Sequence, residues 1–444
     1  MIQTGLIQKA HSDLVTDASY DYYGLRLATC GLDQRIKIWQ LDGENGSWSV
    51  EDDWKAHDAA VSKVSWAHPE FGPIIASSSF DRTVKIWEQA TVVNEPQEVN
   101  GATSTQPSSS RWVERAVLLD ARGTVRAVEF APHHFGLKLA TISTDNFLRI
   151  YECLEQPSLT TWQLSEEVDV LSIPTSTYSS YHSRAHSVAL ATPTQTHAPL
   201  DGAPASLVAQ ALLQQQTPAP SRPGLGSREA DGGWCISWCK ERYWGEIIAA
   251  GCGVNGLIKI IQLSPSRRPT TLLVLDPNAP PTPLAVPALP STKESGGSPS
   301  GSPLQVQDSE QPTPHSIISV SWAPSCGRSY HLVATGSRDG RVRIWKVKPA
   351  IDRDDLDEME EADAQDEVGW TATLVADHDD HKSSVGRVDW NVTGTVLSSA
   401  GNDGRIRLWK ATIGGTIWRP AGTIGVEQKS EADHNGRSED VDMQ

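Results

Sequence analysis

Histidine, serine and aspartate recur together along this chain of 444 residues, at spacings that would place them in one hydrogen-bonded group. The clearest copies are His57 with Ser77 and Asp81, and His381 with Ser399 and Asp403. Side chains of these three types act as nucleophile, base and orienting acid in hydrolases. An active site occurs once in a protein, whereas this grouping recurs, so a structural role in a repeat is the better interpretation. We therefore predict no catalytic residues.

The repeat that carries these residues has six units, each closing on an aromatic or apolar residue. Six positions earlier stands an aspartate or, once, an asparagine. The pairs are Asp33 with Trp39, Asp81 with Trp87, Asp145 with Tyr151, Asn255 with Ile261, Asp339 with Trp345, and Asp403 with Trp409. Alternating runs such as RTVKIW at 82–87 are typical of half-buried strands joined by hairpins. These units predict an all-β fold with the aspartate at a turn, where its carboxylate accepts backbone N–H groups.

This spacing resembles the WD repeat of β-propellers, in which a histidine, a serine or threonine, the aspartate and the tryptophan form a buried hydrogen-bonded set. The resemblance implies three complete structural sets: His11, Thr29, Asp33 and Trp39; His57, Ser77, Asp81 and Trp87; and His381, Ser399, Asp403 and Trp409. In the third and fifth units it implies the pairs Asp145 with Tyr151 and Asp339 with Trp345. The fourth unit departs from the pattern at Asn255 and Ile261, so we expect its blade to be looser.

The composition limits the classes of partner. With 38 basic and 55 acidic residues the net charge is −17, and such a surface repels phosphate backbones, so we expect no direct nucleic-acid binding. Cys235 and Cys239 have three residues between them, which is not a usual zinc spacing, and neighbouring Trp234 and Trp238 suggest a buried strand. We therefore predict free core thiols, no metal and no cofactor. No signal peptide or long apolar run is evident, so we expect membrane association only through partners.

We expect a single propeller domain over residues 1–426, with units ending near 39, 87, 151, 261, 345 and 409. Low-complexity segments at 172–230 and 276–314 predict disordered insertions. Residues 351–367 form an acidic loop, which is either a solvated linker or a docking site for a basic partner. The tail at 427–444 is predicted to be disordered.

Counting strands leaves one segment without a place. Residues 416–424 fit the outer strand of the sixth unit, yet residues 2–10 also read as an outer strand. Two solutions stay open: a closed ring of six blades, or an open ring whose incomplete seventh blade is completed by another protein. In the open ring we expect main-chain pairing with the partner. The candidate contact edge is Ile2, Thr4, Leu6 and Ile7.

Several longer strings carry a closer resemblance. SWAHPEFG at 65–72, SWAPSCGRSYHLVATGSRDG at 321–340 and WNVTGTVLSSAGNDGRIRLWKA at 390–411 closely resemble the Seh-type nucleoporin. This family is the WD-repeat subunit of the nuclear pore Y complex and also belongs to the SEA/GATOR nutrient-signalling complex at the vacuole or lysosome. A sister family, the COPII vesicle-coat propeller, shares DYYGLRLATC at 21–30 and is the alternative.

The nucleoporin resemblance implies an open six-bladed propeller whose seventh blade comes from a helical-solenoid nucleoporin. It further implies contacts with other Y complex subunits, location at the nuclear envelope, and a scaffold function that supports mRNA and protein transport. A different alternative is a peptide-reading WD-repeat adaptor, for which Arg82, Arg341 and Arg405 are candidate ring residues. An enzyme finds little support, because the chain holds no phosphate-loop, HExxH or GxSxG motif.

Overall fold

The computed structural model describes residues 7–91, 110–156, 158–174, 231–264, 267–278, 315–349, 369–412, 415 and 417–425. Within these ranges the strands form six antiparallel sheets of four strands each. The prediction of an all-β propeller with six blades from this chain is confirmed. Most of the two predicted insertions, the acidic loop at 351–367 and the tail at 427–444 lie outside the described residues.

Each blade is a meander whose first strand lines a central channel and whose fourth strand lies outermost. Blades 1 to 3 contain β1 (Val15–Tyr20), β2 (Arg26–Gly31), β3 (Arg35–Leu41), β4 (Trp48–Lys55), β5 (Val61–Trp66), β6 (Ile74–Ser79), β7 (Val84–Thr91), β8 (Ser110–Leu118), β9 (Val125–Phe130), β10 (Lys138–Ser143), β11 (Phe147–Cys153) and β12 (Trp162–Asp169). Blades 4 to 6 contain β13 (Gly233–Trp238), β14 (Glu246–Gly253), β15 (Ile258–Ser264), β16 (Arg267–Leu275), β17 (Ile317–Trp322), β18 (His331–Ser337), β19 (Val342–Pro349), β20 (Trp370–His378), β21 (Val385–Trp390), β22 (Val396–Gly401), β23 (Arg405–Ala411) and β24 (Trp418–Gly425). Two short 3-10 helices, Pro69–Phe71 and His133–Phe135, join the first and second strands of blades 2 and 3.

The core consists of layers between neighbouring blades, because each sheet has two apolar faces. In blade 1, Ile36 and Ile38 point to one side of β3 and pack on Val64 and Trp87 of blade 2. The same arrangement recurs between each later pair of consecutive blades. The face that carries the closing aromatic or apolar residue therefore packs on the preceding blade, and the opposite face packs on the following blade.

Three local expectations need correction. Residues 7–10 form no strand, since Lys9 adopts a left-handed backbone with φ of 53°, so the strand predicted over 2–10 is wrong for its last four residues. The insertion predicted from residue 172 starts too early, because Ile173 is buried in the layer between blades 3 and 4. Blade 4 is not loose either: every residue of β13 is buried, and Ile261 fills the site of the usual tryptophan.

Candidate partner-binding site

The three predicted histidine sets are assembled as hydrogen-bonded chains that link the start of a blade to its central strands. In blade 2, Trp87 Nε1 donates to Ser77 Oγ at 2.9 Å, and Ser77 Oγ lies 2.8 Å from His57 Nε2. His57 Nδ1 lies 2.9 Å from Asp81 Oδ2. The equivalent chains are His11, Thr29, Asp33 and Trp39 in blade 1, and His381, Ser399, Asp403 and Trp409 in blade 6.

The blade 2 set has the atom order of a hydrolase triad, but its serine is in use. Ser77 is fully buried, and its oxygen accepts the Trp87 indole N–H and contacts His57 Nε2, so a substrate cannot reach it. His57 Nδ1 contacts Asp81 on the other side of the ring. Burial raises the pKa of Asp81, yet the hydrogen bonds from His57 and Thr83 lower it below its ordinary value overall. The set therefore fastens strands and leaves no hydroxyl for a substrate.

In blades 3 and 5 an arginine replaces the histidine. Arg149 Nη2 donates to Asp145 Oδ2 at 2.8 Å, and Arg149 Nη1 donates to Ser143 Oγ at 2.8 Å. Burial raises the pKa of Asp145, but the hydrogen bonds from Arg149 and Ser143 outweigh it and lower the pKa to about 2. Arg343 Nη2 makes the same contact with Asp339 at 2.9 Å. Neither arginine was predicted from the sequence to contact its aspartate, although each stands four residues after it.

The closing aromatics of these two blades do not join their aspartates. Tyr151 OH donates to Asp120 Oδ2 at 3.0 Å, and Trp345 Nε1 is buried with no hydrogen-bond partner among the described residues. In blade 4, Asn255 Oδ1 accepts the Leu257 N–H at 3.3 Å, and Ile261 has no polar atom to offer. The implied sets are thus complete in blades 1, 2 and 6 and altered in the other three.

The cysteines predicted as core thiols lie in apolar surroundings. Cys235 and Cys239 are free and buried, and burial raises the pKa of each thiol to about 12, which keeps both protonated. The described residues hold no cluster of three or more His, Cys, Asp or Glu side chains that would bind a metal ion.

One wall of a slot is the face of blade 1 that would meet a preceding blade, defined here by Val15, Ala18 and Tyr20. Val15 is 47% exposed, whereas its counterparts in the other blades are covered by the preceding blade: Val61 at 0%, Val125 at 1%, Ile317 at 5% and Val385 at 0%. Tyr20 is also exposed, while Trp238 and Trp322 at the same strand position are buried. No preceding blade covers this wall among the described residues.

The other wall is the far face of blade 6, defined by Ser398, Ala400, Ile406 and Leu408. Ile406 is 43% exposed, whereas its counterparts are covered by the following blade: Ile36, Leu148, Ile258 and Val342 at 0%, and Val84 at 2%. The residues of this wall are of the types found in a blade interior, but no following blade covers them among the described residues. The two walls together form the slot between blades 6 and 1, and both are sheet faces. Of the contact edge predicted from the sequence, Ile2, Thr4 and Leu6 lie outside the described residues.

Hydrogen bonds between the inner strands also distinguish the slot from the five packed interfaces. At the five interfaces from blade 1 to blade 6, a side-chain oxygen of one inner strand accepts a backbone N–H of the next. The pairs are Asp17 with Val64 at 3.1 Å, Ser65 with Phe130 at 3.2 Å, Glu129 with Trp238 at 3.2 Å, Ser237 with Trp322 at 3.0 Å, and Ser319 with Val388 at 3.1 Å. Blade 6 has Arg387, a pure donor, at the position of Asp17 and Ser319. Within the described residues the ring is therefore joined differently at the slot.

Comparison with known proteins identifies the family of this propeller. The family described as WD domain, G-beta repeat matches residues 3–40, 48–88, 308–346 and 372–410. Nucleoporin SEH1 of Saccharomyces cerevisiae is 33% identical over 437 residues, which covers 90% of this chain and 94% of the relative. The chain belongs to the SEH1 nucleoporin family. Its resemblance to the Seh-type nucleoporin is thereby confirmed.

Other SEH1 nucleoporins match over similar lengths. Nucleoporin seh1 of Schizosaccharomyces pombe is 30% identical and covers 97% of this chain and 98% of the relative. Nucleoporin SEH1 of Homo sapiens is 30% identical and covers 90% of this chain and 82% of the relative. In this member of the SEH1 family the repeat matches fall on blades 1, 2, 5 and 6. The matched ranges do not include blades 3 and 4, whose sets are altered.

The arginines considered for peptide reading have other surroundings in this SEH1 family member. Arg341 Nη1 lies 3.1 Å from Asp377 Oδ2 within blade 5. Arg82 is exposed at a hairpin turn, where it adopts a φ of 72°. Arg405 is an exposed residue at the start of β23.

His331 gives this SEH1 family member a predicted acid sensitivity. It is buried beside Trp322 and Trp370, and its Nδ1 has no hydrogen-bond partner within the part of the chain that the structure describes. Burial lowers its pKa from 6.5 to about 4. The unfolded chain takes up a proton below pH 6.5, whereas the folded protein does so only near pH 4, so acid favours unfolding across this window. When the pH is lowered from 7 to 5, we expect the free energy of unfolding to decrease by about 2 kcal/mol less in His331→Phe than in the wild type. Urea denaturation at the two pH values measures this, and equal losses would contradict it.

Proposed function

We propose that this protein is a non-catalytic scaffold subunit of the nuclear pore outer ring, the Y complex. Its partner is a helical-solenoid nucleoporin that inserts a sheet into the slot between blades 6 and 1 and so completes a seventh blade. Membership of the SEH1 nucleoporin family supports the nuclear pore location. The slot supports the mode of binding.

The observation that carries the proposal is the pair of uncovered walls. Val15 and Ile406 are of residue types found in blade interiors, yet about half of each is exposed, whereas the apolar side chains at the same strand positions in the other blades are buried. Two apolar sheet faces that look onto one gap are the arrangement that a third sheet fills, because packed sheets bury their faces against each other. The contact is therefore made by side chains of two faces, in addition to any main-chain pairing.

A scaffold role accords with the chemistry of the rest of the molecule. The side chains of the recurring His, Ser and Asp sets are engaged in hydrogen bonds within their blades, as the contacts of Ser77 with His57 and Trp87 show. The net charge of −17 disfavours direct contact with nucleic acid. No helix among the described residues is long and apolar enough to cross a bilayer. We propose that membrane association at the nuclear envelope comes through partners.

Assembly in the Y complex would let the protein support nucleocytoplasmic transport of mRNA and protein. By the same slot it would serve in the SEA/GATOR nutrient-signalling complex at the vacuole or lysosome. Both assignments rest on family resemblance, and both require the same blade-completing contact. A single binding defect at the slot should therefore affect the two complexes together.

Co-expression with the solenoid nucleoporin of the same organism tests the proposal. We expect a stoichiometric complex on size exclusion, because the two exposed walls become buried. Deletion of residues 1–10, which include the predicted contact edge, should weaken the complex. A propeller that stays monomeric at micromolar concentrations of the solenoid would refute the proposed function.

A further inference from the structure

The two ends of the ring meet at one side chain in the channel. Arg387 of β21 donates through Nη1 to Asp17 Oδ1 of β1 and to the main-chain oxygen of Ala18, the latter at 2.6 Å. Its other amino group, Nη2, donates to Asp389 Oδ2 at 3.0 Å. Thus the guanidinium of blade 6 holds both a side chain and the backbone of blade 1.

Asp17 is the buried acceptor of this contact. Its side chain is 3% exposed, and its second oxygen accepts the Val64 N–H of blade 2 at 3.1 Å. Lys63 Nζ lies 3.6 Å from Oδ1. One carboxylate therefore joins three blades, and it keeps a cation and an N–H donor even when Arg387 is removed.

The distance that Arg387 spans between blades 6 and 1 is short compared with the gap that an inserted blade needs. Packed sheets lie about 10 Å apart face to face, so a sheet between blades 6 and 1 separates their facing backbones by roughly twice that distance. Arg387 Nη1 touches the backbone of Ala18, so the inner strands β21 and β1 are separated by no more than one arginine side chain and one hydrogen bond. An inner strand cannot enter while this contact is made.

We propose that Arg387 and Asp17 form a latch that draws the inner end of the slot together in the free protein and opens when a partner blade enters. The opening of the latch by a partner rests on the proposed function, whereas its effect on the slot of the free protein does not. It would hold the two walls near each other and delay association until the ion pair dissociates. Its removal should widen the slot and speed docking.

The first test measures the slot in the free protein. Spin labels at Glu44→Cys in the exposed β3–β4 turn and Thr423→Cys in β24, with exposed Cys326→Ser, report the distance between blades 1 and 6. In Arg387→Met and in Asp17→Asn we expect this distance to lengthen by several ångströms, up to about 10 Å. Arg115→Met is the control, because Arg115 is equally exposed and pairs with Glu88 at 2.7 Å within blade 2. It should leave the distance unchanged.

The second test measures association with the purified solenoid nucleoporin by stopped flow. Arg387→Met should bind roughly five- to tenfold faster than the wild type, and Arg115→Met at the wild-type rate. A slot distance that is the same in the wild type, Arg387→Met and Asp17→Asn would overturn the latch whatever the binding data show. If the wild type and all variants fail to bind, the proposed function fails, and the distances in the free protein still decide on the latch.

Discussion

Ile406→Lys is expected to weaken binding of the solenoid partner about 100-fold or more while the propeller stays folded. Ile406 is 43% exposed in the free chain, so a lysine there keeps its ammonium in water and changes stability little. In the complex the same position lies between two packed sheets, where an unpaired charge is expensive. Loss of the apolar contact adds about 1.5–3 kcal/mol. Calorimetric titration measures the affinity, and thermal unfolding measures the stability.

The chain supplies two controls for this variant. Ile36 occupies the same strand position in blade 1 but is fully buried, so Ile36→Lys should unfold the protein or lower its stability by about 3 kcal/mol or more. Leu119 is 70% exposed between blades 2 and 3, so Leu119→Lys should alter neither stability nor binding. Destabilisation by Ile406→Lys equal to that by Ile36→Lys would mean that blade 1 covers this face and the ring is closed.

The second large effect concerns the hydrogen-bonded sets. Asp81→Ala should lower the free energy of unfolding by about 1–3 kcal/mol, because it leaves buried donors without acceptors. Asp81 accepts from the backbone N–H of Thr83 at 2.9 Å and from that of Asp58 at 3.2 Å, and it holds the ring of His57. Urea denaturation at pH 7 measures the change.

Asp58→Ala is the matched control for Asp81→Ala. The side chain of Asp58 is 92% exposed and makes a surface ion pair with Lys55, which contributes little to stability. We expect its removal to change the unfolding free energy by less than about 0.5 kcal/mol. If Asp81→Ala were as mild as Asp58→Ala, the set in blade 2 would not fasten the blade.

The repeat made most of the fold predictable from sequence. The pair of Asp81 and Trp87 has an equivalent at the same interval in four other blades, because these blades share the same turn and the same closing aromatic residue; blade 4 has Asn255 and Ile261 instead. The arginine sets were missed for a physical reason. Arg149 and Arg343 stand where Lys85 stands in blade 2, and a lysine there pairs with Glu114 on the outer strand instead. Arg407 of blade 6 stands at the same position and contacts Asp403, although His381 precedes that blade. An arginine four residues after the aspartate therefore signals this contact, whereas a lysine does not.

The slot illustrates a different limit. Its walls use the residue types of any blade interior: Val15 matches Val61, and Ile406 matches Ile36. Type and spacing are the same, so sequence alone cannot distinguish a covered face from an open one. Counting strands left both a closed and an open ring possible, and for the open ring it located the contact at the N-terminal edge. The exposure of equivalent positions places the candidate site on two sheet faces.

The most direct test of the open propeller is a structure of the protein bound to its solenoid partner by crystallography or electron cryo-microscopy. We predict a sheet of the partner between blades 6 and 1, with Val15 and Ile406 buried against it. Direct packing of blade 6 on blade 1, with the partner bound at another surface, would contradict the account.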